Sequence, residues 1–238
     1  MKKKILCALL LLPLCLLTGC TKNYKTVSEY SSDMTDVRDK LGDYTIEANI
    51  TAKKGEGYYK SRIKGDLWKT EESKDNGQTY MNTILYDGTN VYTYSKAQPV
   101  AISMPIKQML AKQEVKDYES ENAMKWINPI GVALYWNLYA NDNDIDKTFN
   151  LGKITNKNGF DCRMVTYIDE DGELCISDKY GMAVYVNVTD KVKKQKLEIN
   201  VKKIDNTPIP DSDIALPSGM KIISMETLMK NMLNMMKQ

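Results

Sequence analysis

Histidine is absent from the 238 residues. Its absence removes the commonest general base and the commonest transition-metal ligand. Charge of one sign is lacking too, because 33 basic residues stand against 31 acidic ones. A balance of that kind gives no electrostatic argument for nucleic acid as a partner. No phosphate-cradling glycine loop and no GxSxG elbow occurs. The alternating oxygens of Asp142-Asn143-Asp144-Ile145-Asp146 resemble a calcium loop. Glycine is missing at its sixth position, however, and Lys153 stands where the bidentate glutamate belongs, so the stretch reads as a solvated acidic turn. Neither a repeat nor a low-complexity linker divides the chain. These absences point away from an enzyme and imply no cofactor and no metal.

Long apolar runs are equally scarce. The longest, Ile5 to Leu17, follows Lys2, Lys3 and Lys4 and is too short for a comfortable membrane span. It ends in Leu17-Thr18-Gly19-Cys20, which matches a bacterial lipobox, with an ordinary signal peptide or an uncleaved anchor as the plainer readings. The lipobox reading makes residues 1–19 a signal peptide and Cys20 the site of a diacylglycerol and palmitate anchor. Residues 20–25 become a tether on the outer side of a bacterial membrane. Removing residues 1–19 takes away three lysines and no acid, leaving 30 basic against 31 acidic residues. Of five cysteines, Cys7 and Cys15 leave with the signal and Cys20 carries lipid. Cys162 and Cys175 remain, where thiols can oxidise. A tight turn at Asp169 to Gly172 would leave them about two residues out of register on each strand. A disulfide and two buried thiols both stay open.

The rest of the chain alternates. Val27 to Leu41 has helical spacing, with Thr26 or Ser28 as cap and Gly42 as stop. Tyr44, Ile46, Ala48 and Ile50 then fall on one face of a strand. A second strand is expected from about Tyr58 to Thr70. Thr79 to Ser95 reads as a β-hairpin about Asp87-Gly88, with Met81, Leu85, Tyr92 and Tyr94 on one face. From 105 to 140 the period becomes helical, in three short helices that include Met109 and Met124 and form the only oily roof available to the sheet. Strands resume at Phe160, with Cys162 and Met164 on the same face, and continue through Val188 and Leu197 to Val201. A Met-rich helix occupies 223–238.

Several landmarks together resemble the LolA/LolB/LppX/RseB-like superfamily of envelope proteins. They are Tyr44-Thr45-Ile46-Glu47-Ala48, Lys64 to Glu71, the hairpin Leu85 to Tyr94, Gly159-Phe160-Asp161-Cys162, Ser177 to Met182, and Ile214 to Met220. Gly65 stands where relatives often carry proline, and Trp68 falls near a usual arginine. The resemblance implies an α+β fold over 26–222: a strongly curved antiparallel half-barrel sheet, covered by helices, with an apolar cavity for acyl chains. The apolar rows would then line that cavity: Tyr44, Ile46, Ala48, Ile50, Met81, Leu85, Tyr92, Tyr94, Met109, Met124, Phe160 and Met164. The methionines are either filler between sheet and helices or part of a surface that accepts variable apolar shapes. A lipid or other apolar ligand is one expected partner. The alternative is an interaction lipoprotein of the RseB type, meeting a membrane protein.

Overall fold

The computed structural model describes residues 22–53, 55–111, 127–139, 144–169, 171–190 and 195–236. The leader, Cys20 and Met124 lie outside the described residues, as does the side chain of Met109. Two antiparallel meanders build the sheet. The first runs through β1 (Tyr44–Ala52), β2 (Gly55–Lys64), β3 (Leu67–Ser73), β4 (Tyr80–Tyr86), β5 (Asn90–Ser95) and β6 (Val100–Pro105). The second runs through β7 (Phe149–Lys157), β8 (Phe160–Tyr167), β9 (Asp171–Ser177), β10 (Met182–Asp190) and β11 (Gln195–Asp205). The first strand of one meander pairs with the last strand of the other, Ile50 opposite Ile199. With β12 (Lys221–Ser224) laid parallel on β6, one sheet of 12 strands results, in the order β12-β6-β5-β4-β3-β2-β1-β11-β10-β9-β8-β7. It is a large, open, mostly antiparallel sheet with few helices among the described residues.

Three expectations are corrected. The single strand expected over 58–70 is a hairpin of β2 and β3, because Gly65 takes φ +55 and turns the chain there. The third roof helix is only α3 (Gly131–Leu134) and a 3₁₀ turn (Trp136–Tyr139), following α2 (Ile106–Ala111) earlier in the insert. The break falls at Tyr135, whose φ −122 and ψ 41 leave the helical region, and Ala133, Leu134 and Trp136 are all buried. The β8–β9 turn also lies earlier than expected, with Thr166 opposite Glu173.

The inner face is the one that carries Tyr44, Ile46, Ala48 and Ile50. Strand pairing continues it through Ser61 and Ile63, Trp68 and Thr70, Tyr86, and Val91 on one side. On the other it runs through Ile199, Val186, Leu174 and Val165. Side chains from β5 to β8 meet in one core there. Helix α1 (Val27–Asp39) covers part of it, N-capped by Thr26, whose Oγ1 accepts from the Glu29 amide at 3.1 Å. Tyr30 is fully buried and donates to Asp178 Oδ1 at 2.7 Å and to the Ile176 carbonyl at 3.1 Å. Burial and Asp178 both push its phenol up, which keeps it a donor. Asp146, in α4 (Ile145–Thr148), accepts from the Ser28 amide at 3.0 Å and from its hydroxyl, so the expected acidic turn fastens the start of α1.

Residues 127–139 form the rest of the cover. Arg38 ties them to α1 by donating to the Leu134 carbonyl at 2.8 Å and stacking on the Tyr135 ring at 4.6 Å. Ile127, Ile130 and Trp136 are buried against the sheet. Helix α6 (Met225–Met235) contributes no buried side chain; Met229, Met232 and Leu233 are each about half exposed. Among the described residues, no helix is long and apolar enough to cross a membrane.

Candidate functional site

The inner face changes character along β1. At Ile46 and Ala48 it is fully buried under the cover. Past Ile50 the described part of the cover gives way to a cavity of about 790 Å³. Ile50, Ala52, Tyr59, Val132, Tyr167, Val188 and Leu197 make its apolar walls, and Lys53, Glu56, Glu72, Lys74 and Lys196 stand among its polar residues. That size is inside the roughly 300–1,000 Å³ of ordinary ligand sites.

Two glycines on inner-face rows make space for the aromatic walls. Gly57 is opposite Ile50, and a Cβ there would stand 2.9 Å from the Tyr59 ring. Gly172 is opposite Val188, and a Cβ there would stand 2.6 Å from the Tyr167 ring. Each ring lies over a strand position that has no side chain, which holds it flat against the sheet and keeps the space above it open. Phe149 backs the Tyr167 ring at 4.5 Å between centroids.

The polar groups around the cavity are partly committed. Glu72 accepts from the Tyr59 hydroxyl at 3.3 Å and from Asn82 at 2.9 Å. Burial, then Glu72, push the Tyr59 phenol up to about 12, so it stays a donor. Lys196 pairs with Glu198 at 2.8 Å, which holds its ammonium above the usual range. Among the described residues, nothing here has the form of a nucleophile with its base. Among the described residues, no three acidic or sulfur ligands converge on one point.

Of the expected lining residues whose side chains are described, only Ile50 reaches this cavity. Tyr44, Ile46 and Ala48 share its row but are packed into the core. Met81, Leu85, Tyr92 and Tyr94 lie on the opposite, outer face: Lys69 faces Leu85 across β3–β4, whereas Trp68 and Thr70 belong to the inner side. Leu85, Tyr92 and Tyr94 form a second small core there with Ala101, under Leu216 and Met220. The covering segment is fastened by Lys64, which donates to the Ile209 carbonyl at 2.8 Å and pairs with Asp211 at 2.6 Å in α5 (Asp211–Ile214). Phe160 and Met164 are on the outer face as well, because Val165 and Tyr167 take the inner positions of β8. The more apolar row of a strand is therefore not always the inner one; both faces of this sheet have covers. The same outer face holds Cys162 and Cys175, joined as a disulfide with Cα atoms 5.4 Å apart. With Met164 opposite Cys175, the bridge spans one diagonal step, about half the offset expected from a later turn, and so it can close.

Tyr59, Val132, Tyr167, Val188 and Leu197 were not expected to line a site. Val188 and Leu197 do carry a visible signal, since each ends an alternating apolar row at the tip of its strand.

No family model matches the sequence, and no curated protein matches it. Solved structures do. An uncharacterized conserved protein from Thermus thermophilus is similar over 82% of this chain and 98% of its own, at 9% identity and a TM-score of 0.52. The Pseudomonas aeruginosa MucA/MucB complex is matched over 81% of this chain and 63% of that one, at 8% identity and a TM-score of 0.45. A LolA superfamily protein from Nitrosomonas europaea is matched over 81% and 99%, at 8% identity and a TM-score of 0.39. The Thermus likeness shows a shared fold and nothing further; the two weaker ones carry no argument.

Proposed function

We propose that this is a binding protein of the bacterial cell envelope, tethered through lipid on Cys20, that holds an acyl chain or similar apolar ligand between the sheet and its cover. One observation carries the reading: the apolar cavity of about 790 Å³ past Ile50, where sheet and cover part. A fully packed inner face would have been an ordinary core. Among the described residues, the open end differs from it by the two glycine-backed rings, with Val132 facing them from the cover. A second reading, an interaction lipoprotein, draws on α6, whose exposed Met229, Met232 and Leu233 have no cover among the described residues.

Binding of a fluorescent fatty acid to the full chain tests the first reading, together with mass spectrometry of organic extracts from the natively purified protein. Val188→Trp should occupy the cavity and lower binding at little cost in stability. Leu85→Trp, in the packed outer core, should instead cost about 1–3 kcal/mol by overpacking. No co-purifying lipid and no binding at micromolar probe would leave the interaction reading. The anchor has its own test: Cys20→Ser should release the protein from membranes or leave the precursor uncleaved. Unsubstituted protein that stays in membranes with its leader intact and no lipid on Cys20 would refute lipidation.

A further inference from the structure

The segment just after the lipid site is packed on the domain. Tyr24 meets Tyr30 of α1 edge-on, with ring centroids 4.9 Å apart, and the Arg163 guanidinium of β8 lies 5.6 Å from both rings. Lys22 pairs with Asp33 of α1, and the Lys25 amide donates to Glu29 at 2.9 Å. Tyr30 is itself fully buried, so these contacts seat the segment on the core. Only Thr21 separates Cys20 from Lys22. An extended chain spans at most about 3.5 Å per residue, so Cys20 is within about 7 Å of Lys22 and about 14 Å of Tyr24. The seat lies at one end of the sheet. Arg163 is opposite Ile154 of β7, the last strand in the order, and Ile154 is 43% exposed there among the described residues. Strand β12, with α6 beside it, is at the opposite end of the 12-stranded order, a path of about 50 Å along the sheet at about 4.8 Å per strand. Lys22 and Lys25 stand beside Glu29 and Asp33, so charge does not choose this edge for a membrane. Reach does: a tether so much shorter than the sheet is wide leaves no length to present another side.

We propose that the domain rests on the bilayer that holds the Cys20 lipid by the edge formed by β7 and the start of α1. Ile154 then lies at the lipid headgroups, and α6, at the other end of the sheet, is held away from them. The inference rests on the lipidation of Cys20 and adds which side of the domain meets the membrane.

The test uses the lipidated protein reconstituted in dioleoylphosphatidylcholine vesicles. In the processed chain Cys20 carries lipid and Cys162 is bridged to Cys175, so an introduced cysteine is the only free thiol. An environment-sensitive fluorophore is attached to Ile154→Cys or, separately, to Met229→Cys on α6, and read with and without a headgroup-nitroxide lipid. The label at 154 should shift to the blue and lose most of its emission to the nitroxide, and the label at 229 should do neither. A Gly-Ser linker of about 20 residues inserted after Thr21, which adds about 25 Å of root-mean-square reach, should bring quenching at 154 down toward that at 229. Equal quenching at the two positions, stronger quenching at 229, or quenching at 154 that survives the linker unchanged would overturn the orientation and leave the anchor standing. Mass spectrometry of the N-terminal peptide separates the two: with no lipid on Cys20 the anchor is refuted, and the orientation falls with it.

Discussion

Asn128→Ala would unlock the cover from the sheet. Three polar side chains are buried in the middle of an otherwise apolar interface: Ser61 on β2 (0% exposed), Thr70 on β3 (2%) and Asn128 on the cover (4%). They close a ring. Asn128 Nδ2 donates to Ser61 Oγ at 3.1 Å, Ser61 and Thr70 share a hydroxyl hydrogen bond at 2.7 Å, and Thr70 donates to Asn128 Oδ1 at 3.2 Å. The same Oδ1 accepts from the Ile130 amide at 3.1 Å, which shapes the entry to α3. Alanine removes three bonds, each worth about 0.5–1.5 kcal/mol net, and leaves buried donors without partners. The expected loss is about 3 kcal/mol, read as a lower urea midpoint by fluorescence. Trp68 and Trp136 are both buried and so serve as reporters. Limited proteolysis should cut the 127–139 segment faster. The triple variant Ser61→Ala/Thr70→Val/Asn128→Leu should recover part of the loss, since a wholly apolar patch leaves only the Ile130 amide unpartnered. A loss under about 0.5 kcal/mol with unchanged proteolysis would show that the ring does not hold the cover.

Gly181→Ala should be severe, because Gly181 has φ +67 and a Cβ there would stand 2.0 Å from the Met34 carbonyl oxygen of α1. More than about 2 kcal/mol is expected on thermal unfolding, against about 1 for Gly65→Ala, which has φ +55 and open space; equal effects would refute the contact. Gly172→Ala would drive the Tyr167 ring into the cavity and should weaken fatty-acid binding by about 1 kcal/mol with unchanged circular dichroism; unchanged binding would place the ligand elsewhere. Hydrogen bonds from Ser73 and Thr79 depress the Asp75 carboxyl from 3.8 to about 2. The stability it contributes is therefore present above about pH 4 and lost as pH falls toward about 2. Asp75→Asn should flatten that part of the acid limb, and an unchanged limb would refute the assignment.

Local pattern already determines much of this protein. The alternation of Tyr44, Ile46, Ala48 and Ile50, the division of the hairpin residues between two faces, the Thr26 cap and the stop at Gly42 are all set by side-chain period and backbone stereochemistry, so they are readable in the sequence. Which face of one strand lies beside which face of another is not a local property. It depends on every register between them, and a one-residue difference exchanges the faces. The turn at Gly65 added a strand, and the pairing of β3 with β4 then put Leu85, Tyr92 and Tyr94 outside, under a segment more than a hundred residues away. Apolar character could not reveal this, because a sheet covered on both sides is apolar on both sides. The cavity is a further step removed. Among the described residues it lies between Val132 of the cover and the tips of β1, β10 and β11, where Gly57 and Gly172 leave room for two rings. In sequence those glycines read only as weak points in strands. Their meaning as space appears once Tyr59 and Tyr167 are laid across them, and only the tertiary structure does that.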